Sequence, residues 1–139
     1  MYTLTLVFNQ DKTKVLMCDH KKLHNLNYIG GKIEKNESPM EASYRELFEE
    51  TGISKEDIEL SYIRYENVKL NNLIGIEDYE MYITAGVLLH NIELTPEKNE
   101  LIWVSIYDIN LLLNSYGNGN NYMFMKESLI VLNTLDKGV

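Results

Sequence analysis

The stretch GKIEKNESPMEASYRELFEETGI, Gly31 to Ile53, decides how this chain is read. Ser38 stands where a helix N-cap belongs, Pro39 in the first turn, and Glu41, three residues after Ser38, completes a capping box. Gly52 supplies the C-terminal stop. Met40, Tyr44, Leu47, Phe48 and Thr51 fall on one face at helical spacing, so that face is expected to be core. The opposite face carries Glu46, Glu49 and Glu50 within about a quarter-turn of one another. Each like-charge pair at these spacings costs a helix roughly 0.2–0.5 kcal/mol, and only Arg45, at the margin, is basic there. Such a face is either solvated acidic surface or a seat for a hard cation, since clustered carboxylate oxygens suit Mg²⁺ or Mn²⁺ and such ions bridge to substrate phosphates. Just upstream, Gly30-Gly31 ends an apparent strand, where glycine opens backbone conformations closed to other residues and brings bare backbone beside the carboxylates.

Outward from this stretch, the chain alternates strands and helices. Residues 2–8 and 14–18 read as strands joined by the turn Asn9-Gln10-Asp11-Lys12, and so as a hairpin. Residues 19–27 are polar and loop-like, and Lys35-Asn36 is a turn. Residues 60–70 and 78–89 read as longer strands joined by a turn at residues 71–75. Thr95 to Asn99 is a loop, Glu100 to Val104 a short strand and Asp108 to Leu113 a short helix. A Gly/Asn loop over 115–121 precedes a terminal helix at 122–136. The expected class is α/β or α+β, with a mixed sheet and helices on both sides.

Composition narrows the function. The chain has 139 residues, enough for one domain, and we expect a single domain over 1–139. Its net charge of −8 argues against a groove for long DNA or RNA, though not against a small phosphorylated substrate whose charge a cation offsets. Cys18 is the only cysteine, so neither an intrachain disulfide nor a thiolate zinc site is available. The first residues lack the basic region of a signal peptide, and no apolar run approaches the roughly 20 residues of a membrane span. These features lead to the expectation of a cytoplasmic protein with no membrane partner. His20, His24 and His90 show no ligand spacing and are expected at the surface, and Trp103 is expected to pack in the core.

Taken whole, the spacing Gly31, Glu37, Arg45-Glu46-Leu47, Glu49-Glu50, Gly52-Ile53 resembles the Nudix box of the Nudix hydrolase family, with every fixed position present. A chance match of this length arises at roughly 10⁻⁹ per start position, which outweighs the reading as plain acidic surface. The resemblance implies an α/β/α sandwich and hydrolysis of a nucleoside diphosphate linked to a further group. It implies that Glu49 and Glu50 ligate an essential Mg²⁺, with Mn²⁺ as a substitute. Glu46 is then a ligand or the base that activates water, and Arg45 orients a neighbouring carboxylate. Glu37 is an outer-shell partner, and the carbonyl of Gly30, before the box Gly31, completes the coordination. Lys32 stands where members contact phosphate, or is a solvated strand lysine. Members often recruit another carboxylate from a later loop, for which Glu97 and Glu100 are the candidates. Dimers are common in the family, so a homodimer is an expectation.

The substrate is less marked. ADP-ribose members resemble one another in a proline about sixteen residues past the box, where this chain has Val68-Lys69-Leu70. Dinucleoside polyphosphate members tend to have a tyrosine at a similar offset, and Tyr65 and Tyr79 match it poorly. Asn27-Tyr28-Ile29-Gly30-Gly31-Lys32 is similar to a segment of MutT-like 8-oxo-dGTP-cleaving members, in which the Asn bonds the purine edge. Asn27 takes that place, or is a turn residue. Asn120 and Asn121 lie where those members put a second base-reading residue, although Asn121 also suits a helix N-cap. Ile29 replaces their usual proline, and Asp19-His20-Lys21-Lys22 stand where an arginine is common. The expected activity is therefore Mg²⁺-dependent cleavage of a purine nucleoside triphosphate to monophosphate and pyrophosphate. The alternatives are a pyrophosphatase for ADP-ribose, a nucleotide sugar or a dinucleoside polyphosphate, and a nucleotide sensor without catalysis.

Overall fold

A computed structural model describes residues 1–20, 25–72, 75–94, 100–108 and 120–137. In chain order the elements are β1 (Tyr2–Phe8), β2 (Lys14–His20), β3 (Asn25–Asn27), β4 (Ile29–Lys32), α1 (Pro39–Thr51), β5 (Ser61–Asn72), β6 (Gly75–Val87), β7 (Glu100–Ser105) and α2 (Asn121–Lys137). The strands form one seven-stranded mixed sheet. Its path runs β3-β2-β1-β6-β5, with β4 also paired to β1 and β7 to β2.

The expected β1–β2 hairpin holds only at its tip, where Phe8 faces Val15. Beyond that pair the strands part. β1 runs parallel to β6 from Tyr2↔Met81 to Phe8↔Val87, and its first half pairs antiparallel with β4 from Tyr2↔Lys32 to Thr5↔Ile29. β2 turns instead to β7 and β3. A local turn signal sets which residues meet at the tip, but burial against both helices decides the remaining partners. Residues 19–27, read as a loop, contain the end of β2 and all of β3, because Cys18, Asp19 and His20 pair with Asn27, Leu26 and Asn25. β5 and β6 run further than their apolar runs, to Asn72↔Gly75. The Thr95–Asn99 loop and most of the short helix expected over 108–113 lie outside the described residues.

Two apolar clusters flank the sheet. On one face Leu4, Leu6, Phe8, Val15, Met17 and Ile83 pack with Phe124, Met125 and Leu132 of α2. On the other, Val7, Leu16, Cys18 and Ile29 pack with Leu47 of α1 and with Ile53, Ile58 and Leu60 after it. Trp103 packs against this second cluster, and His90 is exposed beside Asp57. The α1 cap forms as its sequence dictates: Ser38 Oγ accepts from the Glu41 N–H, and Glu41 Oε1 accepts from the Ser38 N–H, each at 3.1 Å. Gly52 takes the left-handed conformation at φ 80° and donates to the Phe48 carbonyl at 2.9 Å. The buried line of α1 is Ser43, Leu47 and Thr51. Phe48, one residue round from Leu47, is therefore 59% exposed rather than core. Among the described residues no helix is long and apolar enough to cross a membrane.

Candidate active site

The site forms where α1 crosses β4. Gly30 and Gly31 sit within β4, not at its end, and neither has a positive φ. They are needed for space, not for an unusual turn. A side chain at Gly30 would collide with the Thr3 carbonyl of β1. A Cβ at Gly31 would lie 2.5 and 2.7 Å from the two carboxylate oxygens of Glu46. The Glu46 carboxylate thus rests directly on the bare Gly31 backbone, with its side chain only 15% exposed. Burial raises its pKa, opposed by the hydrogen bond and charge of Arg45.

Arg45 ties the site together. Its Nε and NH2 donate to the two oxygens of Glu37 at 2.6 and 2.9 Å, a bidentate pair. NH2 also donates to the Lys32 carbonyl at 3.0 Å. NH1 donates to Glu46 Oε1 at 2.9 Å and to Glu49 Oε2 at 3.3 Å. The guanidinium is held well above its ordinary pKa, first by the hydrogen bond to Glu37. Glu37, in turn, is held below its usual range by Arg45 and by the Glu34 N–H. The helix cap, β4 and the carboxylates are therefore clamped through one side chain.

The other predicted residues fall into place unevenly. Glu49 is half-exposed. Glu50 is half-buried on the next helical position and contributes, after desolvation, to pushing the Cys18 thiol up to about 12. The Lys32 side chain is exposed. Glu100 begins β7 opposite Asp19. Strand alternation puts it on the face of Ile102, which packs toward the α2 cluster and away from α1. Glu97 lies outside the described residues.

The carboxylates offer the donor chemistry of a hard-cation site, and Glu46 and Glu49 already share one cationic nitrogen of Arg45. Among the described residues, no group of three His, Cys, Asp or Glu side chains stands ready to hold a metal ion. The donor set therefore fits a divalent ion by type, with Arg45 engaging one oxygen each of Glu46 and Glu49.

Asn27 and Asn121, 94 positions apart, meet: Asn121 Nδ2 donates to Asn27 Oδ1 at 3.0 Å. Asn27 Oδ1 also accepts the Tyr28 N–H at 2.8 Å, and the buried Tyr28 hydroxyl donates to the Asn121 carbonyl at 2.7 Å. Asn121 is the first residue of α2, while the Asn120 carbonyl accepts the first helical bond, from the Phe124 N–H. The capping position thus falls at Asn120, and the Asn121 side chain turns inward, 3% exposed. Sequence reasoning passed over Thr3, whose Oγ1 is the buried side-chain polar atom without a partner among the described residues. Its neighbour Thr5 bonds Thr84 at 3.0 Å.

A mixed sheet lies between two helices, with a capped acidic helix laid over a glycine strand. A family model described as NUDIX domain matches residues 2–125, and the chain belongs to the Nudix hydrolase family. Enzymes of this family generally use divalent metal ions. No curated protein sequence matches the chain. Among solved structures, the Escherichia coli dihydroneopterin triphosphate pyrophosphohydrolase is similar with a TM-score of 0.78 at 17% identity, covering 94% of each chain. A MutT protein from Bacillus halodurans matches with a TM-score of 0.71 at 21% identity, over 88% of this chain and 78% of that one. The NUDIX domain of Shewanella oneidensis NrtR, solved with ADP ribose, matches with a TM-score of 0.70 at 14% identity, over 94% and 86%. At these identities the likeness is one of fold.

Proposed function

We propose that this enzyme hydrolyses a purine nucleoside triphosphate, 8-oxo-dGTP being the best single candidate, to the monophosphate and pyrophosphate with Mg²⁺. The observation that carries the reading is the seating of Glu46 on Gly31 beneath the Arg45–Glu37 clamp. It puts a shielded carboxylate and an exposed one, Glu49, side by side on one helix turn. Glu49, Glu50 and Glu46, with the Gly30 carbonyl, would hold the ion, and Mn²⁺ would substitute. When bound, the ion supplies charge neutralisation on the phosphoryl oxygens and an oriented water. We assign Glu46 as acceptor of that water's proton, since its carboxylate rests on the bare Gly31 backbone, shielded from bulk water. Arg45 keeps the carboxylates aligned, Glu37 and Gly31 fix Arg45 and Glu46, and Lys32 is the candidate phosphate contact.

The purine preference rests on the amide pair. The Asn27–Asn121 bond uses Asn27 Oδ1 and Asn121 Nδ2, so the Asn27 NH₂ is the candidate donor and the Asn121 side-chain Oδ1 the candidate acceptor. A bicyclic base with adjacent donor and acceptor on one edge answers that pattern. A pterin ring presents a similar edge, which gives a second reading: a pterin triphosphate, the class named for the similar E. coli enzyme. Cleavage of ADP-ribose, nucleotide sugars or dinucleoside polyphosphates, and a sensor without catalysis, are the remaining outcomes of one experiment. Product analysis over oxidised and normal dNTPs, dihydroneopterin triphosphate, ADP-ribose, a dinucleoside tetraphosphate and a nucleotide sugar, with and without Mg²⁺, ranks them. Pyrophosphate release fastest from 8-oxo-dGTP, lost on chelation, is expected. Asn27→Ala should then slow oxidised purine substrates more than pyrimidine ones. An equal loss across bases would make Asn27 a turn residue, and no turnover of any compound would leave the sensor reading.

A further inference from the structure

Thr3 is 2% exposed, and its hydroxyl has no partner among the described residues. Leaving a hydroxyl buried and unpaired costs about 1–3 kcal/mol. The threonine two residues along the same strand face avoids this cost by bonding Thr84. Register shows what Thr3 faces. It lies directly opposite Gly31 in the antiparallel β1–β4 pair. Directly opposed residues share a face, with Cβ positions about 4.5–5.5 Å apart. Gly31 has no side chain, and the Glu46 carboxylate fills the place one would occupy. The Thr3 side chain and the shielded carboxylate therefore stand on the same, α1 side of the sheet, at a position where β4 has no side chain between them. Glu46 Oε1 is meanwhile turned to Arg45 NH1, which it shares with Glu49.

We propose that Thr3 is a positioning residue for Glu46: its hydroxyl donates a hydrogen bond to the Glu46 carboxylate when that carboxylate turns from Arg45 in the working enzyme. The unpaired state is then the resting arrangement, and the desolvated hydroxyl is held in reserve for the turned one. This rests on the reading of Glu46 given above. Valine has nearly the shape of threonine without the hydroxyl, so Thr3→Val separates this role from a packing role. A packing or structural hydrogen-bonding role predicts a loss of stability in Thr3→Val. The positioning role predicts none.

The experiment measures thermal melting without metal, and steady-state kinetics with Mg²⁺ and 8-oxo-dGTP or whichever compound the substrate panel ranks first. It covers the native chain, Thr3→Val, Thr3→Ser, Glu46→Gln and the double variant Thr3→Val/Glu46→Gln. Thr3→Val is expected to melt at the native temperature or above it. Its kcat should fall about tenfold with KM within about twofold, the loss of one charge-assisted hydrogen bond. Thr3→Ser should recover kcat to within about threefold, and Thr3→Val should cost nothing further when Glu46 is already Gln. A Thr3→Val kcat within about twofold of native overturns the proposal, as does a lowered melting temperature in Thr3→Val, whether or not Thr3→Ser restores it. If Glu46→Gln itself turns over normally, the assignment of Glu46 fails. If Glu46→Gln is inactive while Thr3→Val is not, only the role of Thr3 fails.

Discussion

The two faces of β1 meet the same sheet geometry with opposite chemistry. Leu4, Leu6 and Phe8 point to the α2 layer, where they pack with Phe124, Met125 and Leu132 and where the Tyr28 hydroxyl is bonded. Thr3, Thr5 and Val7 point to the α1 layer. There the far end of the strand is apolar and the near end is polar, with Thr84 bonded to Thr5 and with Glu46, bonded by Arg45, lying on Gly31. One layer is free to maximise burial. The other gives up part of its burial to hold ionised groups in fixed positions, a cost that stability alone would not select.

Substitutions on the two layers should separate stability from activity. The largest effect is expected for Phe8→Ala, fully buried in the α2 layer. It should cost about 3–5 kcal/mol in urea unfolding, while turnover of the remaining folded enzyme is near native. A smaller stability cost there would show the layer to be loosely packed. On the other layer, Glu49→Gln or Glu50→Gln should leave melting within a few degrees of native. Either should lower turnover about 100-fold or more, because several kcal/mol of charge stabilisation go with the ligand. Native activity in either variant would remove the metal-ligand assignment.

Gly31→Ala should affect both properties moderately. The added methyl meets the Glu46 carboxylate, so it should destabilise by about 1–3 kcal/mol and reduce kcat by displacing Glu46. Full activity would mean that Glu46 has another productive position. The smallest effect is a pH dependence. The pKa of Glu37 is lowered by Arg45, so this pair's contribution to stability is complete above the unfolded value of 4.5 and is lost as the pH falls through the lower folded value. Melting temperature followed from pH 7 downward should therefore show a shallower acid limb in Arg45→Met than in the native chain. Identical limbs would show that the clamp does not couple to folding.

How much of this was legible depended on whether the signal was local. The α1 helix could be read almost to the residue, because Ser38, Pro39, Glu41 and Gly52 act within one turn of where they sit. Phe48 was misplaced because helical spacing marks a broad face, and the sheet chooses its centre line, here Ser43, Leu47 and Thr51. Glu100 is a candidate through the family resemblance alone, and only strand alternation shows that it shares the face of Ile102. Asn27 and Asn121 could be suspected singly, but their bond joins the ends of β3 and α2 across most of the chain.

The amino-acid sequence by itself determined the family and the capped acidic helix, since these are set by spacing along a single element. Tertiary structure alone decided that β1 leaves its hairpin partner for β4 and β6, that the Glu46 carboxylate lies on the bare Gly31, and that Thr3, its hydroxyl unbonded among the described residues, stands opposite Gly31. Those facts depend on which strands lie side by side. Strand partnership is settled by how the whole chain buries its apolar surface, not by any local preference.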